Sequence, residues 1–428
     1  MVQASQAAVK RIRGAGYAAP AAGLVRAAEL GEHRAMQFAA AIMGVCLFLQ
    51  RFALPLPGKS ISVVGPIGMG LAIFGLVRGE LAFNRGRLIA FLVLTTLAVL
   101  GMAWQLTHPN AYGAAQNLQS LAQFLLLTSF ATLSFAQPVE ERRFFRMVNF
   151  YLALIAGAGV LQFVLQFVGI RVFQFTGLLP SKILYETGYN LQIPVGFGGM
   201  FKANGFFLVE PSVFSQFMAV ALIVEMLYFK RLQFLGLFLA GLVLSFSGTG
   251  WIVLAAFVLF VTVSLGTRGL VVAVSTVLLL ALVIGVALLA APHLSAVFQE
   301  RMAEFSRPGT SAQLRFATPF WLLHDVLTRV PSAAYIGIGS GASERLTLPY
   351  VYDVNTPVKV ALEYGFPALI AYVLLFILGP KTRLQRAIVL PGIVLFLFTG
   401  GYQQFPPVLF PVLLLLSTAW LRPGGTAS

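Results

Sequence analysis

Long apolar runs separated by short polar connections dominate the hydrophobic pattern of this chain. A continuously apolar run of about 20 residues is long enough for a helix to cross a bilayer, whereas a transmembrane barrel would show short alternating segments. The pattern therefore predicts an all-α polytopic membrane protein with about 12 transmembrane helices. Three connections are so short that 10 or 11 helices remain open. The predicted spans are 35–52, 60–77, 88–105, 118–136, 147–169, 211–229, 232–247, 250–266, 269–291, 354–378, 387–402 and 405–421.

Two connections are long enough to have structure of their own. Residues 170–204 and 292–353 contain no run of membrane-spanning length, and loops of this length are usually functional. We therefore predict a cytoplasmic tail at 1–34, for which an amphipathic surface helix is the alternative, followed by a single transmembrane domain at 35–428. A large extracytoplasmic loop subdomain would lie between the ninth and tenth spans.

The distribution of basic residues predicts the orientation of the spans. With the N-terminus inside, 18 Lys and Arg residues lie in inner segments, and only Arg51 and Lys59 lie in the short outer loops. Lys and Arg collect in cytoplasmic loops. Both termini are therefore expected in the cytoplasm and both long loops outside it.

Composition excludes several classes of protein. The chain is 58% hydrophobic and only 10% charged, whereas soluble domains are about 25% charged, so an ordinary cytosolic enzyme is excluded. The net charge of +15 would suggest a nucleic-acid partner in a soluble protein, but here most of it sets orientation, and no nucleic acid is expected. Cys46 and four scattered histidines lack the spacing of metal ligands, so we predict no metal and no cofactor.

A polar motif directly precedes the sixth span and contains Lys202, Asn204, Glu210, Pro211 and Ser212. One interpretation is a simple helix start, because proline and a carboxylate both suit a helix N-terminus. The other is an outer polar pocket in which Lys202 binds an anion, while Glu210 orients a basic residue or accepts a proton.

A second motif, 245–250, joins the seventh and eighth spans. It is interpreted either as a tight turn or as a turn whose hydroxyls, Ser247 and Thr249, line the same outer pocket.

Glu225 is the one carboxylate placed well inside a span. Such residues are functional candidates by default, but pairing with Lys230 or Arg231, or snorkelling toward the cytoplasmic side, is the expectation here.

The second long loop contributes Arg315 and His324, on a segment whose apolar spacing is typical of an interfacial helix. Nine residues apart, they point to opposite sides of a continuous helix, so they share a site only if Thr318-Pro319 breaks it. Asp325 and Arg329 are four residues apart and are expected to pair.

The glycine-rich stretch 337–342 lacks the strand-then-helix context of a dinucleotide site, although as a loop it could offer backbone N–H groups to a phosphate. Asp353 and Asn355 follow it directly before an apolar span. They are interpreted either as caps of that span or as site residues.

Together and in this order, the motifs resemble the O-antigen ligase and Wzy-type polysaccharide polymerase superfamily, and most of all its exopolysaccharide polymerase branch. The resemblance covers about residues 200–380. It implies a GT-C type fold and metal-independent, inverting transfer of glycans from an undecaprenyl-diphosphate carrier outside the bacterial inner membrane. The stretches that carry it are Asn204-Gly205, Glu210-Pro211-Ser212, Ser247-Gly248-Thr249-Gly250, Arg315 with Trp321, the loop 337–341, and Asn355 with Leu362-Glu363-Tyr364-Gly365.

The resemblance also implies roles for individual residues. Arg315 matches the arginine of the family's large loop, and Lys202 stands where relatives often have arginine. Val354 replaces the histidine that many relatives carry before Asn355, so the acid/base group stays open. The candidate catalytic residues are Arg315, Glu210, His324 and Asp353; the candidate substrate-binding residues are Lys202, Asn204, Ser212, Ser247, Thr249, Trp321 and Asn355.

The predicted function is polymerisation of undecaprenyl-diphosphate-linked oligosaccharide repeats into an exported polysaccharide. The expected partners are the lipid-linked donor and acceptor, membrane lipid and other polysaccharide-export proteins. A ligase that transfers a finished glycan is the nearest alternative, and a peptidoglycan polymerase of the shape, elongation, division and sporulation family is less similar. A lipid-linked-sugar transporter would carry ionisable residues along a central path. A structural scaffold is the last alternative.

Overall fold

The structure, a computed structural model, is mostly helical. It describes residues 18–56, 59–108, 117–173, 175, 179–185, 191–195, 199–290, 299, 303, 309–350, 352, 354–379, 382–398 and 421–422. The helices within these residues are α1 Ala18–Phe48, α2 Val64–Val77, α3 Arg85–Thr107, α4 Leu118–Ser129, α5 Glu141–Leu165, α6 Pro211–Val224, α7 Leu232–Leu244, α8 Gly248–Leu265, α9 Thr267–Ala290, α10 Ser311–Phe316, α11 Thr318–Arg329, α12 Ala333–Ile336, α13 Thr356–Tyr364, α14 Phe366–Ile377 and α15 Arg383–Phe398.

Short strands and tight turns connect the helices. Short 3₁₀ turns follow α4 and α5, and a π-helical turn, Glu225–Phe229, continues α6. The strand pairs are β1 Ala53–Leu56 with β2 Lys59–Ser62 and β3 Leu81–Phe83 with β4 Leu133–Phe135, both antiparallel, and β5 Val139–Glu140 with β6 Leu421–Arg422, parallel.

Several of the described helices have the character of membrane spans. Four are long and apolar enough to cross a membrane, judged by length and composition: Arg85–Thr107, Glu141–Val168, Pro211–Phe229 and Gly248–Leu265. Five shorter apolar helices, among them Val64–Val77 and Phe366–Ile377, accompany them. The predicted class, a helical membrane protein, agrees with this architecture.

Several predicted spans have bounds that differ from those of the helices, two of them for a clear physical reason, and one span lies almost entirely outside the described residues. Helix α1 begins at Ala18, inside the segment predicted as a tail, because alanine-rich sequence extends the first span backwards as helix. The predicted span 354–378 is divided at Gly365, whose φ of +87° ends α13 before α14 begins. The predicted span 405–421 lies outside the described residues except for its last position.

Helix α6 is the centre of the bundle. Every residue from Val213 to Val224 is buried, and the helix packs against α5, α7 and α8. A side-chain carbon at Gly250 would lie 2.5 Å from the Ser215 carbonyl oxygen, so glycine is what lets α8 approach α6 this closely. Small residues at crossings are typical of helices packed in membranes.

One end of α6 is held by an ionic cluster in which the Glu225 carboxylate is fully buried and Arg231 is 37% exposed. The Glu225 carboxylate accepts hydrogen bonds from Arg231 Nε and Nη2, both at 2.8 Å, and from Asn149 Nδ2 at 2.9 Å. The predicted pairing of Glu225 with a neighbouring cation is therefore confirmed. Glu210 lies at the opposite end, and the 19 residues of Pro211–Phe229 extend over about 28 Å at 1.5 Å each.

The described part of the second long loop, residues 309–350, has an apolar core of its own. Leu322, Val326, Ile338 and Leu346 pack there with Val358 and Leu362 of α13. The carbonyl of Gly337 accepts a hydrogen bond from Gln105 Nε2 of α3 at 2.6 Å. The loop is therefore a folded layer on the ends of α3 and α13.

Candidate active site

A carboxylate and an arginine meet at the end of α6 opposite the Glu225 cluster. Glu210 precedes Pro211, the first residue of α6, but its side chain does not cap that helix. Glu210 Oε2 instead accepts a hydrogen bond from Ser212 Oγ at 2.8 Å and lies 4.0 Å from Arg315 Nη2. The side chains of Glu210 and Arg315 are 23% and 26% exposed, so a ligand can reach both charges.

Arg315 is presented by a short helix between two turns. Thr310 Oγ1 accepts from Gln313 N at 3.4 Å, and Gln313 Oε1 accepts from Gly309 N at 2.7 Å, which satisfies donors at the start of α10. The helix ends at Phe316, and α11 begins at Thr318 after the single residue Ala317. A break between the two helices is thus present, one residue before Thr318-Pro319.

His324 and Trp321 lie on α11 and are exposed. Among the contacts of the described residues, none joins His324 to Glu210 or Arg315. Asp325 pairs with Arg329 at 3.0 Å, as their spacing predicted. Trp321 is 51% exposed, so its indole is available to lipid or substrate.

Asn204 anchors the loop that leads to Glu210. Its backbone N–H donates to Gln162 Oε1, and its Oδ1 accepts from Gln162 Nε2, both at 2.9 Å. Its Oδ1 also accepts from Phe206 N at 3.0 Å, while its buried Nδ2 has no hydrogen-bond partner among the described residues. Lys202, two residues earlier, is buried. Asn204 therefore shapes this loop, and its side-chain amide nitrogen keeps its donors unused among the described residues.

Two left-handed residues follow Asn204. Gly205 has φ +72° and Phe206 has φ +62°, and for a non-glycine residue the left-handed conformation costs about 1–2 kcal/mol. A side-chain carbon at Gly205 would lie 2.8 Å from both Ile155 and Phe214. The turn therefore requires glycine at position 205. The left-handed conformation of Phe206 must be stabilised by contacts with other parts of the protein.

Three hydroxyl groups and the Ser212 carbonyl join α6 to α8 beside Glu210. Ser215 Oγ and Thr249 Oγ1 lie 2.9 Å apart, and both also lie within hydrogen-bonding distance of the Ser212 carbonyl oxygen, at 2.8 and 3.0 Å respectively. Ser247 Oγ is 3.0 Å from Thr249 Oγ1. The motif 245–250 is thus the predicted turn between α7 and α8. Thr249 and Ser215 are buried, whereas Ser212 and Ser247 are only half-buried and are therefore the more accessible of the four residues.

The glycine-rich loop packs on α13. Ile338 N donates to the Leu362 carbonyl at 2.7 Å and Gly339 N donates to the Glu363 carbonyl at 3.1 Å. A side-chain carbon at Gly337 would lie 2.3 Å from the Glu363 carbonyl. The glycine at this position permits close backbone packing, and these two N–H groups, which the sequence offered to a phosphate, are already used.

Glu363 of α13 contacts the segment that follows the glycine-rich loop. Its buried carboxylate accepts a hydrogen bond from Ser343 Oγ, and Lys359 Nζ lies 3.8 Å away. Tyr352 donates its hydroxyl to the carbonyls of Ser343 and Leu346 at 3.0 and 2.9 Å. Burial raises the pKa of Tyr352, so this hydroxyl remains a donor. Asn355 caps α13, since its Oδ1 accepts from Val358 N at 3.1 Å. Asp353 lies outside the described residues.

Comparison with protein families matches residues 52–376 to the family described as WcaD colanic acid polymerase. The match spans well over half of the chain. The chain belongs to this polymerase family. It is therefore a membrane polysaccharide polymerase, an enzyme of glycosyl transfer that acts in exopolysaccharide biosynthesis. A comparison with curated proteins found no match.

Family membership confirms the predicted resemblance to the exopolysaccharide polymerases. The structure brings Arg315, Glu210 and Ser212 together and places Ser247 and Thr249 beside them. Their roles in the reaction remain a prediction.

Two residues of the polymerase contact the site loop without any motif that marks them in the sequence. Arg51 has the sequence context of an outer-loop charge, yet its side chain is fully buried against the Asn204–Glu210 loop. Gln162 lies inside a predicted span, where its polarity is the one sequence feature that indicates a role. It forms two hydrogen bonds with Asn204. Neither has a spacing signal, because their partners are distant in the chain.

Proposed function

We propose that this polymerase joins undecaprenyl-diphosphate-linked oligosaccharide repeats into an exported polysaccharide, by inverting and metal-independent glycosyl transfer on the periplasmic face of the bacterial inner membrane. The observation that supports it most is the approach of Arg315 to Glu210, at 4.0 Å, in a partly exposed site of a polysaccharide polymerase. The colanic acid named in the family description is the type of polymer we expect.

The chemistry follows from the charge on the leaving group. An acceptor hydroxyl oxygen attacks the anomeric carbon of the donor, and the bond from that carbon to the diphosphate oxygen breaks. The electron pair leaves with the diphosphate. Arg315 stabilises the growing charge through its planar fork of donors, and Lys202 contributes a second cation in this role.

Glu210 has two roles in this proposal. It orients the Arg315 guanidinium, and its carboxylate accepts the proton of the attacking hydroxyl. Ser212, hydrogen-bonded to Glu210 Oε2, keeps the carboxylate in place. Asn204, Ser247, Thr249, Trp321 and Asn355 would shape the substrate site, and His324 and Asp353 are the remaining candidates for acid/base work.

The basic residues at the other end of α6 support a periplasmic position for the site. Arg231 pairs there with Glu225, and Arg142 and Arg146 lie over the ring of Phe229. Basic segments stay in the cytoplasm, so Glu210, about 28 Å away along α6, would lie outside. We propose about 12 spans of GT-C type, with both termini cytoplasmic and loops 170–204 and 292–353 outside.

Helix α11 fits contact with lipid. Phe320 and Trp321 are each about half exposed at its start, and aromatic rings favour the membrane–water interface. We propose that they face membrane lipid and the polyprenyl part of the substrate.

The test compares Arg315→Ala with Arg329→Ala in a strain deleted for the gene. Arg329 lies on the same loop, is more exposed and pairs with Asp325, so it is a matched control. We expect Arg315→Ala to stay in the membrane, make no polymer and accumulate single lipid-linked repeats on the outer leaflet. Arg329→Ala should make normal polymer.

Other outcomes identify the alternatives. Long lipid-linked chains in the deletion strain indicate a ligase, and repeats held on the inner leaflet indicate a transporter. Polymer of normal length and amount from Arg315→Ala would overturn the proposal for this site.

A further inference from the structure

A fully buried arginine lies outside the predicted site but touches the loop that leads to it. Arg51 follows α1, and its Nη1 donates a hydrogen bond to the Phe206 carbonyl at 2.5 Å. The guanidinium also lies 4.6 Å from the centre of the Phe175 ring. The backbone carbonyl of Arg51 accepts from Tyr185 N at 2.7 Å. Arg51 therefore joins the first outer connection to both halves of the 170–210 region.

The carbonyl that Arg51 holds belongs to the left-handed turn at Gly205 and Phe206. A left-handed phenylalanine persists only where its surroundings impose the conformation. The Phe206 ring packs edge-on against Phe175, with centroids 4.8 Å apart. Arg51 thus fixes both sides of this residue: the carbonyl directly, and the ring through Phe175.

The stretch of chain between the Phe206 turn and Glu210 is short and tightly packed. Leu208 and Val209 are buried between Phe206 and Glu210, and Pro211 then begins the rigid helix α6. A displacement of the turn is therefore transmitted to the Glu210 carboxylate. Misplacement of a reacting group by about 1 Å can cost about 100-fold in rate.

We infer that Arg51 is a positioning residue for the transfer reaction: by holding the Phe206 turn, it sets the Glu210 carboxylate against Arg315. The inference rests on the proposed function of Glu210 and Arg315. Arginine suits this position because its planar group binds a carbonyl in its plane and stacks on an aromatic ring with its face, which the lysine ammonium cannot do.

The test measures turnover in purified variants, per folded protein, with the lipid-linked repeat extracted from a deletion strain as substrate. Arg51→Lys should lower kcat about tenfold, while the KM for the repeat changes less than twofold. Arg87→Lys is the matched control, because Arg87 is also fully buried and donates to a backbone carbonyl, that of Leu133 at 3.0 Å. It should leave kcat unchanged.

A double-mutant cycle separates positioning from general support of the fold. If Arg51 acts through the carboxylate, Arg51→Lys should slow the Glu210→Asp enzyme much less than it slows the wild type, because residues acting as a unit are not additive. Arg87→Lys should have the same small effect in both backgrounds. Should Arg51→Lys fail to fold, Phe175→Leu, which removes the ring under the guanidinium, carries the same test with a smaller loss of kcat.

Two results would overturn the inference: an unchanged kcat in Arg51→Lys or its substitute, or equal losses in the wild-type and Glu210→Asp backgrounds. Failure of the proposed function looks different. In that case Glu210→Gln and Arg315→Ala would themselves retain full activity.

Discussion

Arg315 Nη2 lies 4.0 Å from Glu210 Oε2, although helices α6 to α9 separate the two residues along the chain. The carboxylate is already hydrogen-bonded to Ser212, and both charged side chains remain partly exposed. The pair is therefore neither a buried structural bridge nor a loose surface contact. An anionic ligand can compete for the arginine and leave the carboxylate free to accept a proton.

This geometry predicts different costs for two neighbouring changes. Glu210→Gln removes the charge that orients Arg315 and accepts the proton, and we expect turnover to fall by about 10²- to 10⁴-fold. Ser212→Ala removes one hydrogen bond to the carboxylate and should cost about tenfold or less. Polymer synthesis by purified protein measures both. A larger loss in Ser212→Ala than in Glu210→Gln would contradict the roles assigned here.

The crossing of α6 and α8 should not tolerate a side chain at Gly250. A new carbon there would lie 2.5 Å from the Ser215 carbonyl oxygen, so Gly250→Ala should destabilise the protein by about 1–3 kcal/mol through overpacking. Gly236→Ala is the control, because nothing lies within 4 Å of a carbon added there. Thermal unfolding in detergent micelles measures the difference. Equal unfolding temperatures would show that the helices separate readily.

The Glu363 carboxylate should be needed for the order of the glycine-rich loop. Glu363→Ala leaves the buried Ser343 hydroxyl and the nearby Lys359 without this acceptor, at a cost of about 1–3 kcal/mol. We expect faster limited proteolysis within 337–350. Glu344→Ala, whose side chain is more than half exposed, is the control. Unchanged proteolysis of Glu363→Ala would show that backbone packing alone holds the loop.

Arg231→Met should affect stability and leave turnover intact. The substitution leaves the fully buried Glu225 carboxylate without its ion-pair partner. We expect this to lower the free energy of unfolding by about 1–3 kcal/mol. The double variant Glu225→Gln/Arg231→Met should recover part of the loss, because the charge is then removed as well. Unfolding temperature and kcat per folded protein are the two measurements. A large fall in kcat would show that the two ends of α6 are coupled.

Much of the local structure could be predicted from the sequence. Apolar run length marks most of the helices, because in lipid every backbone group must be satisfied within its own segment. The joint at 245–250, the start of α6 at Pro211 and the pairs Glu225–Arg231 and Asp325–Arg329 depend on residues close in sequence, and the structure has all of them. Asn355 likewise caps α13 through a residue three positions on.

Contacts between distant segments were decided only by the tertiary structure. The burial of Arg51 against Phe206 and the two hydrogen bonds of Gln162 to Asn204 depend on how the ends of helices converge. The sequence of the glycine-rich loop is compatible with a phosphate loop, but its Ile338 and Gly339 N–H groups donate to the Leu362 and Glu363 carbonyls. By itself, the sequence determined that the chain is helical and apolar. It also determined which connections between the predicted spans are rich in basic residues. Only packing decided that Glu210 and Arg315 meet, since a pattern of hydrophobicity sets which face of a helix is buried but not which distant loop covers its end.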